Sequence, residues 1–145
     1  MESPRRIGAL AGTISIGLVL AVTGYSAEKV SDHRRVLETQ LGDATIYASH
    51  FDGRKTASGL TFSSDKLMAA HRTYPFGTLV RVTYLRNKRS VDVVIVDRGP
   101  WGKNRKEGAI IDLSLSAAKN LGMVRAGQAR VRVEVLEWGK GGHRN

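Results

Sequence analysis

The sequence predicts one small, basic, mainly β domain that closes into a barrel of two related halves, preceded by a segment that is not part of it. Three observations carry this reading. Apolar and polar residues alternate with period two in several short runs, the pattern of half-buried strands. Sixteen glycines, several at the edges of those runs, supply turns between them. The run Gly77-Thr-Leu-Val-Arg-Val-Thr-Tyr-Leu85 is echoed by Gly127-Gln-Ala-Arg-Val-Arg-Val-Glu-Val-Leu136, with one residue inserted. Two similar strand entries suggest two halves, and a closed barrel leaves no exposed strand edge. The 145 residues suffice for one domain and a short extra segment.

Arg5 and Arg6 precede an uncharged stretch, Ile7 to Ala27, whose most apolar part runs from Ile14 to Val22. A short basic region followed by an apolar one and small residues is the pattern of a secretory signal, predicted over residues 1–27 with cleavage between Gly24 and Ala27. The stretch is also long enough to cross a bilayer, so an uncleaved membrane anchor is the other reading. Residues 28–41 are polar, with no sustained apolar stripe, and read as a linker or frayed helix. The domain is predicted over 42–137, with 138–145 a basic tail.

Within the domain, Ala44, Ile46 and Ala48 alternate with Thr45 and Tyr47. Ser64 to Ala70 reads as a helical turn. Val80, Val82 and Tyr84 alternate with Arg81 and Thr83, and Asn87-Lys88 joins this strand to the next as a hairpin. In that next strand Val91, Val93 and Ile95 share a face with Asp97, while Val94 and Val96 fill the other. It is therefore predicted to be buried on both faces. Ser114 or Ser116 can cap a short helix through Ala117, Ala118 and Leu121, closed by Gly122. Val131, Val133 and Val135 alternate with Arg130, Arg132 and Glu134 in the last strand.

The chain has 23 Lys and Arg against 13 Asp and Glu, a net charge of +10. Glu2, Arg5 and Arg6 are the charges before residue 28, so nearly all of the excess belongs to the domain. This favours an anionic partner: nucleic acid, an anionic lipid surface or an acidic wall polymer. The signal segment and the scattered placement of the basic residues argue against nucleic acid. With no cysteine there is no disulfide, no thiolate metal site and no lipidation cysteine. His33, His50, His71 and His143 show no metal-ligand spacing. No phosphate-cradling loop or Ser-His-Asp set is present either, so no cofactor is predicted. Oligomeric state leaves no mark.

Asp97 ends the most apolar strand, in Val94-Ile-Val-Asp-Arg-Gly-Pro100, where Gly99 and Pro100 stop it. Its carboxyl is thus predicted at a barrel mouth. A carboxyl among apolar neighbours keeps its proton toward neutral pH, as a general acid must. The structural alternative is a turn cap or a partner for Arg98. His71 follows Met68-Ala-Ala and is either a hydrogen-bonded structural residue or a group that tunes a nearby carboxylate. Asp112, in Ile110-Ile-Asp-Leu-Ser114, is a structural acceptor or a second site carboxyl. Trp101, Tyr47 and Phe51 can stack on sugar rings or pack in the core.

The ordered set of motifs resembles a known family. Gly42-Asp-Ala-Thr-Ile-Tyr-Ala-Ser-His-Phe-Asp-Gly-Arg-Lys-Thr-Ala-Ser-Gly59 looks like the opening of the rare lipoprotein A (RlpA) domain. Ala69-Ala-His71, Pro75-Phe-Gly-Thr-Leu-Val-Arg-Val82, Val96-Asp-Arg-Gly-Pro100, Ile111-Asp-Leu-Ser114 and Ala117-Ala-Lys-Asn-Leu-Gly122 follow in the family's order. The resemblance covers residues 42–137 and implies a six-stranded double-psi β-barrel with one or two short helices. It implies a bacterial periplasmic or envelope protein, not lipidated on cysteine, whose partner is the peptidoglycan glycan strand. The implied activity is lytic transglycosylation: cleavage between N-acetylmuramic acid and N-acetylglucosamine to leave 1,6-anhydro ends, with strands lacking stem peptides preferred. Asp97 would be acid and then base, supported by His71, with Tyr47, Phe51, Arg98, Trp101 and Asp112 holding substrate. Membrane contact would be confined to an uncleaved N-terminal segment. Leu60 departs from the pattern, standing where the family often carries Glu. That departure favours a second reading, a non-catalytic polysaccharide-binding barrel similar to expansin-like modules.

Overall fold

The computed structural model describes residues 34–141. The predicted signal over 1–27, the first part of the predicted linker and the last four residues of the predicted tail lie outside the described residues.

Six strands form one closed barrel: β1 (Glu38–Ile46), β2 (Met68–His71), β3 (Leu79–Tyr84), β4 (Ser90–Asp97), β5 (Ala109–Leu113) and β6 (Gln128–Glu137). Two short helices interrupt them, α1 (Gly102–Lys106) and α2 (Leu115–Leu121). Around the barrel the order is β1-β5-β2-β4-β3-β6, with β6 closing on β1. Two pairs are parallel, β1 with β5 and β2 with β4. The other pairs are antiparallel. Exchanging β1, β2, β3 for β4, β5, β6 maps each parallel pair onto the other and leaves the β2–β5 and β3–β6 pairs in place. The sequence echo thus falls on β3 and β6, which this exchange relates and which pair with each other.

The interior is filled by the alternating apolar residues: Val80 and Val82 of β3, Val93 and Ile95 of β4, Ile111 and Leu113 of β5, and Val131, Val133 and Val135 of β6, all without exposed surface. β-branched side chains pack well on a pleated half-buried surface, so the composition and the fold agree. Helix α2 adds Ala117, Ala118 and Leu121 to this core. Ser114 is its N-cap, its hydroxyl accepting the Ala117 amide hydrogen bond at 3.3 Å, and Gly122 ends it in the left-handed region at φ 72°.

Four features differ from the sequence reading. First, β1 begins at Glu38, inside the predicted linker and ahead of the predicted domain start at Gly42. Glu38 to Leu41 pair with Val135 to Arg132 of β6. Their pattern hid this because the half-buried residues are Glu38 and Gln40 while Leu41 is 59% exposed. Second, the predicted helical turn at Ser64–Ala70 is the loop into β2, whose four residues gain backbone partners on both sides, from β4 and β5. Third, β4 is not buried on both faces throughout, since Val94 is 36% exposed. Fourth, the start of the predicted tail is held to the barrel. The Gly139 amide donates to Thr78 Oγ1 at 3.0 Å and the Gly141 amide to the Phe76 carbonyl at 3.1 Å.

Ser114 is fully buried and also lies 3.4 Å from the Met68 amide, so its hydroxyl ties α2 to β2. Ser114→Ala should lower unfolding free energy by about 1–2 kcal/mol, the upper part of the N-cap range, as measured by urea denaturation; a change below a few tenths would show the cap to be idle.

Candidate active site

The site is built from a row of residues across four adjacent strands. Thr45 of β1 pairs with Asp112 of β5, Asp112 pairs with Ala70 of β2, and Ala70 pairs with Asp97 of β4. The two carboxyls therefore flank one alanine. Two inter-strand spacings separate their Cα atoms by about 10 Å, leaving a gap above the small residue between them. Gly99 packs over that residue: a Cβ placed on it would lie 3.7 Å from Ala70 Cβ and 3.3 Å from Asp112 Oδ2.

Asp97 reaches this position through a bulge. Ala69 pairs with Ile95 but Ala70 with Asp97, so Val96 is an extra residue on β4. An extra residue breaks the two-residue alternation and re-aims the side chains beyond it. The strict alternation that put Asp97 on the face of Ile95 does not hold, since Ile95 and Val96 are both buried and Asp97 is half-exposed. Its surroundings are donors, not the apolar ones predicted. The Tyr47 hydroxyl donates to Oδ2, and the amides of Ala57 and Arg98 donate to Oδ1 at 2.9 and 2.8 Å. The Arg98 guanidinium turns away from Asp97 to the carbonyls of Tyr74 and His71, at 2.8 and 3.2 Å, and lies 3.8 Å over the Phe76 ring.

Asp112 is the carboxyl that its surroundings shift toward the protonated form. Burial raises its pKa above the ordinary Asp value, the Asp97 charge adds to the rise, and the Thr45 hydroxyl and Arg72 oppose it. Thr45 Oγ1 donates to Asp112 Oδ1.

Both carboxyls line a groove of ≈ 400 Å³ together with Tyr47, Phe51, Arg98 and Trp101. Six of the seven predicted site residues thus come together. Tyr47 stacks on buried Phe62 and meets Phe51 edge-on, which fixes both rings, while Trp101 stands 55% exposed at the rim. Burial and the bond to Asp97 push the Tyr47 phenol pKa well above its usual value, so the hydroxyl stays a donor. Asn104 of α1 also lines the groove and carried no sequence signal.

His71 is not in this groove. It follows Ala70 on β2, and its ring stacks on Tyr74 at 3.7 Å, 4% exposed. Nδ1 accepts from the Thr73 and Tyr74 amides at 3.2 and 3.1 Å, so Nε2 carries the hydrogen and donates to Gln40 Oε1 at 3.2 Å. Burial, and then the charges of Arg72 and Arg98, lower its pKa to about 4. Of the two readings of His71, the hydrogen-bonded structural one is what its ring shows; toward the groove it offers only its carbonyl, which accepts from Arg98.

Leu60, at the departure from the family pattern, is 54% exposed and lines neither this groove nor the cleft beside it. Its carbonyl accepts from the Thr56 amide and hydroxyl, both at 2.8 Å, closing the turn that aims the Ala57 amide at Asp97.

A closed six-strand barrel with two exchange-related parallel pairs defines a double-psi β-barrel, and this one carries two carboxyls in an aromatic-edged groove. The family model described as lytic transglycolase matches residues 39–133, and the chain belongs to that family. The endolytic peptidoglycan transglycosylase RlpA of Campylobacter jejuni is 45% identical over 102 residues, 70% of this chain and 36% of that protein. A probable endolytic peptidoglycan transglycosylase RlpA of Aquifex aeolicus is 48% identical over 98 residues, 68% of this chain and 42% of that protein. The chain thus spans less than half the length of these relatives. Among solved structures, the apo expansin of Clavibacter michiganensis superimposes with a TM-score of 0.55 at 24% identity, over 72% of this chain and 53% of that one. The Streptomyces papain inhibitor does so with 0.54 at 20% identity, over 70% and 97%. These likenesses show the fold.

The neutral state of His71 has a stability consequence. The unfolded ring takes a proton near its ordinary value of 6.5 and the folded ring only near 4, so acidification favours unfolding between these values. The stabilisation is complete above pH 6.5 and lost as pH falls toward 4, by about 3 kcal/mol at most. Urea midpoints should fall across this window in the wild type and fall less in His71→Gln; equal slopes would refute the assignment.

Proposed function

We propose that the chain is a lytic transglycosylase acting on peptidoglycan, cutting between N-acetylmuramic acid and N-acetylglucosamine to leave a 1,6-anhydro end. The observation that carries this is the pair of carboxyls flanking Ala70 in one groove edged by sugar-stacking aromatics. Membership of the lytic transglycolase family and relatives named endolytic peptidoglycan transglycosylases support the same reading.

The chemistry needs a proton for the leaving oxygen and an acceptor for the proton of the attacking hydroxyl. The resemblance gives both tasks to Asp97. We divide them between the two carboxyls. Asp112 is the half-buried carboxyl whose pKa is raised, so we assign it the protonation of the glycosidic oxygen as the C1–O bond breaks. Asp97, held as an acceptor by three donors, faces the positive charge that develops at C1 and takes the proton as the sugar's own C6 hydroxyl oxygen closes on C1. No water enters the products, unlike hydrolysis by two carboxyls. Afterwards Asp97 carries the proton that Asp112 gave up, and exchange between the two through solvent in the open groove restores the starting state.

Mass spectrometry of strand digests should show anhydro-ended fragments from the wild type. Asp97→Asn and Asp112→Asn should each lower turnover by about 10²–10⁴-fold, the range for general acid–base groups. A muramyl substrate with an aryl leaving group needs no acid, so it should restore turnover to Asp112→Asn and not to Asp97→Asn; the reverse would exchange the two roles. Wild-type activity should fall as pH rises through the elevated Asp112 pKa, because the acid form is lost, and Asp112→Asn should lack that limb.

The binding-only reading rests on Leu60, and an expansin of this fold has been solved with cellohexaose. Leu60 supports Asp97 through its backbone, which any residue supplies, so its side chain removes no contact seen at the site. Cosedimentation with cell walls and no anhydro product would establish that second reading. An envelope location is part of the proposal, supported by the basic and apolar pattern of residues 1–27 and by a wall substrate.

A further inference from the structure

Beside the acid groove lies a second cleft, of ≈ 500 Å³, lined by Ala57, Arg72, Phe76, Arg98 and Trp101. Arg98 and Trp101 line both, so the two are continuous along a ridge. A glycan chain long enough to fill the groove runs over that ridge into the cleft.

The two arginines here are held differently from the four arginines that pair with carboxylates on the barrel wall. Arg81 is clamped on Asp92 at 2.8 and 3.0 Å, Arg34 meets the same carboxylate at 3.1 Å, Arg130 meets Asp43 at 3.4 Å and Arg132 meets Glu134 at 3.2 Å. Arg72 and Arg98 have no carboxylate within 4.0 Å among the described residues. Each is anchored through Nη1 to backbone carbonyls: Arg72 to Ala109 at 2.8 Å and Pro100 at 3.4 Å, Arg98 to Tyr74 at 2.8 Å and His71 at 3.2 Å. Phe76 supports the flat face of Arg98. Anchoring by Nη1 fixes each guanidinium in place while its Nε and Nη2 donors have no protein partner among the described residues. Both side chains are half-buried. Both charges act on His71, so the two fields overlap at this end of the barrel.

A pre-positioned guanidinium with free donors is suited to a carboxylate, which it binds with planar, charge-assisted hydrogen bonds. The glycan of the proposed reaction offers one carboxylate per disaccharide, on the lactyl ether of N-acetylmuramic acid. In intact wall that carbon is amide-linked to the stem peptide and carries no charge; once the peptide is removed it is an anion.

We propose that Arg72 and Arg98 form a carboxylate subsite that reads the free lactyl group of a peptide-stripped N-acetylmuramic acid residue next to the scissile bond. This rests on the glycan reading above and adds to it the residues that select the substrate. A lactyl carbonyl in amide linkage presents no anion at that position, so the two guanidiniums favour the stripped form there.

The test uses one strand preparation in three forms: stripped with free lactyl carboxylates, stripped with those carboxyls converted to methyl amides, and carrying stem peptides. Equilibrium binding to the whole chain and cleavage are both measured. The free carboxylate form should bind about ten- to a hundredfold more tightly than the methyl amide, the range of a hydrogen bond to a charged group. Arg72→Gln and Arg98→Gln should shrink that ratio toward one, chiefly by weakening binding of the free carboxylate form. Arg72→Lys and Arg98→Lys, which keep charge without the fork, should leave an intermediate ratio. Arg130→Gln removes an equal charge elsewhere and should leave the ratio intact; if it lowers the ratio as much, general attraction to a basic protein explains the preference and the subsite falls. Equal wild-type binding of free and amidated strands overturns the proposal without needing a variant, as does the absence of binding to any form. Carboxylate-selective binding without cleavage would keep the subsite and remove the reaction, whereas cleavage without selectivity would do the opposite.

Discussion

The structure depends on one pairing, β2 against β5, which sets Ala70 opposite Asp112. The strands on either side are parallel partners, β4 beside β2 and β1 beside β5, so this single antiparallel contact aligns the ends of both parallel pairs. A slip of one residue would send Ala70 and Asp112 to opposite faces and dissolve the row from Thr45 to Asp97. The buried Ile111 and Leu113, flanking Asp112 on its strand, fix that register, because they cannot leave the barrel interior without exposing most of the apolar surface of β5.

The near-symmetry of the barrel explains how one frame holds an asymmetric site. Exchange of the two halves takes Ala70 to Asp112 and Asp97 to Thr45. The backbone repeats; the side chains do not. At one pair of related positions the chain has a small apolar residue and a carboxyl, and at the other a carboxyl and a hydroxyl. The outcome is two acids with opposite surroundings. Asp97 is ringed by donors from Tyr47, Ala57 and its own neighbour, and Asp112, also half-buried, has one hydroxyl donor. A raised pKa at one carboxyl beside a second that is ringed by donors suits the first to giving a proton and the second to accepting one.

Much of the barrel was legible because its strands β3, β4 and β6 bury one face, and burial of one face writes a two-residue period into sequence. Where the inward residues are polar the period vanishes. Glu38 and Gln40 turn inward to Tyr74 and His71, so the start of β1 read as linker. Met68-Ala-Ala-His71 is too short, and too rich in alanine, to announce a strand, and its extended form comes from neighbours on both sides. Asp97 was visible as a carboxyl closing an apolar run. Its partnership with Asp112 was not, because it runs through Ala70 on a strand from another part of the chain. The direction of His71 was likewise unreadable: a motif shows that a histidine is present at a strand end, not which side of the sheet its ring takes.

The positive charge of the domain is finally a matter of arrangement, not amount. Asp92, Asp43 and Glu134 are spent on arginines of the barrel wall, where exposed and half-exposed pairs contribute little to stability. Asp97 and Asp112 lie within electrostatic reach of Arg98 and Arg72, yet neither pairs with them directly, since backbone carbonyls and the Phe76 ring hold the guanidiniums. Had either acid closed on an arginine, it would have been fixed as a carboxylate and its neighbour cation neutralised, costing the groove both a proton donor and a charge for an anionic chain. In the proposed reaction, keeping the opposite charges adjacent but apart lets the acids face the reacting bond and the arginines face the substrate's anion. The carbonyls of His71, Tyr74, Pro100 and Ala109 therefore do more than anchor two side chains: they preserve the separation on which both functions of the groove rely.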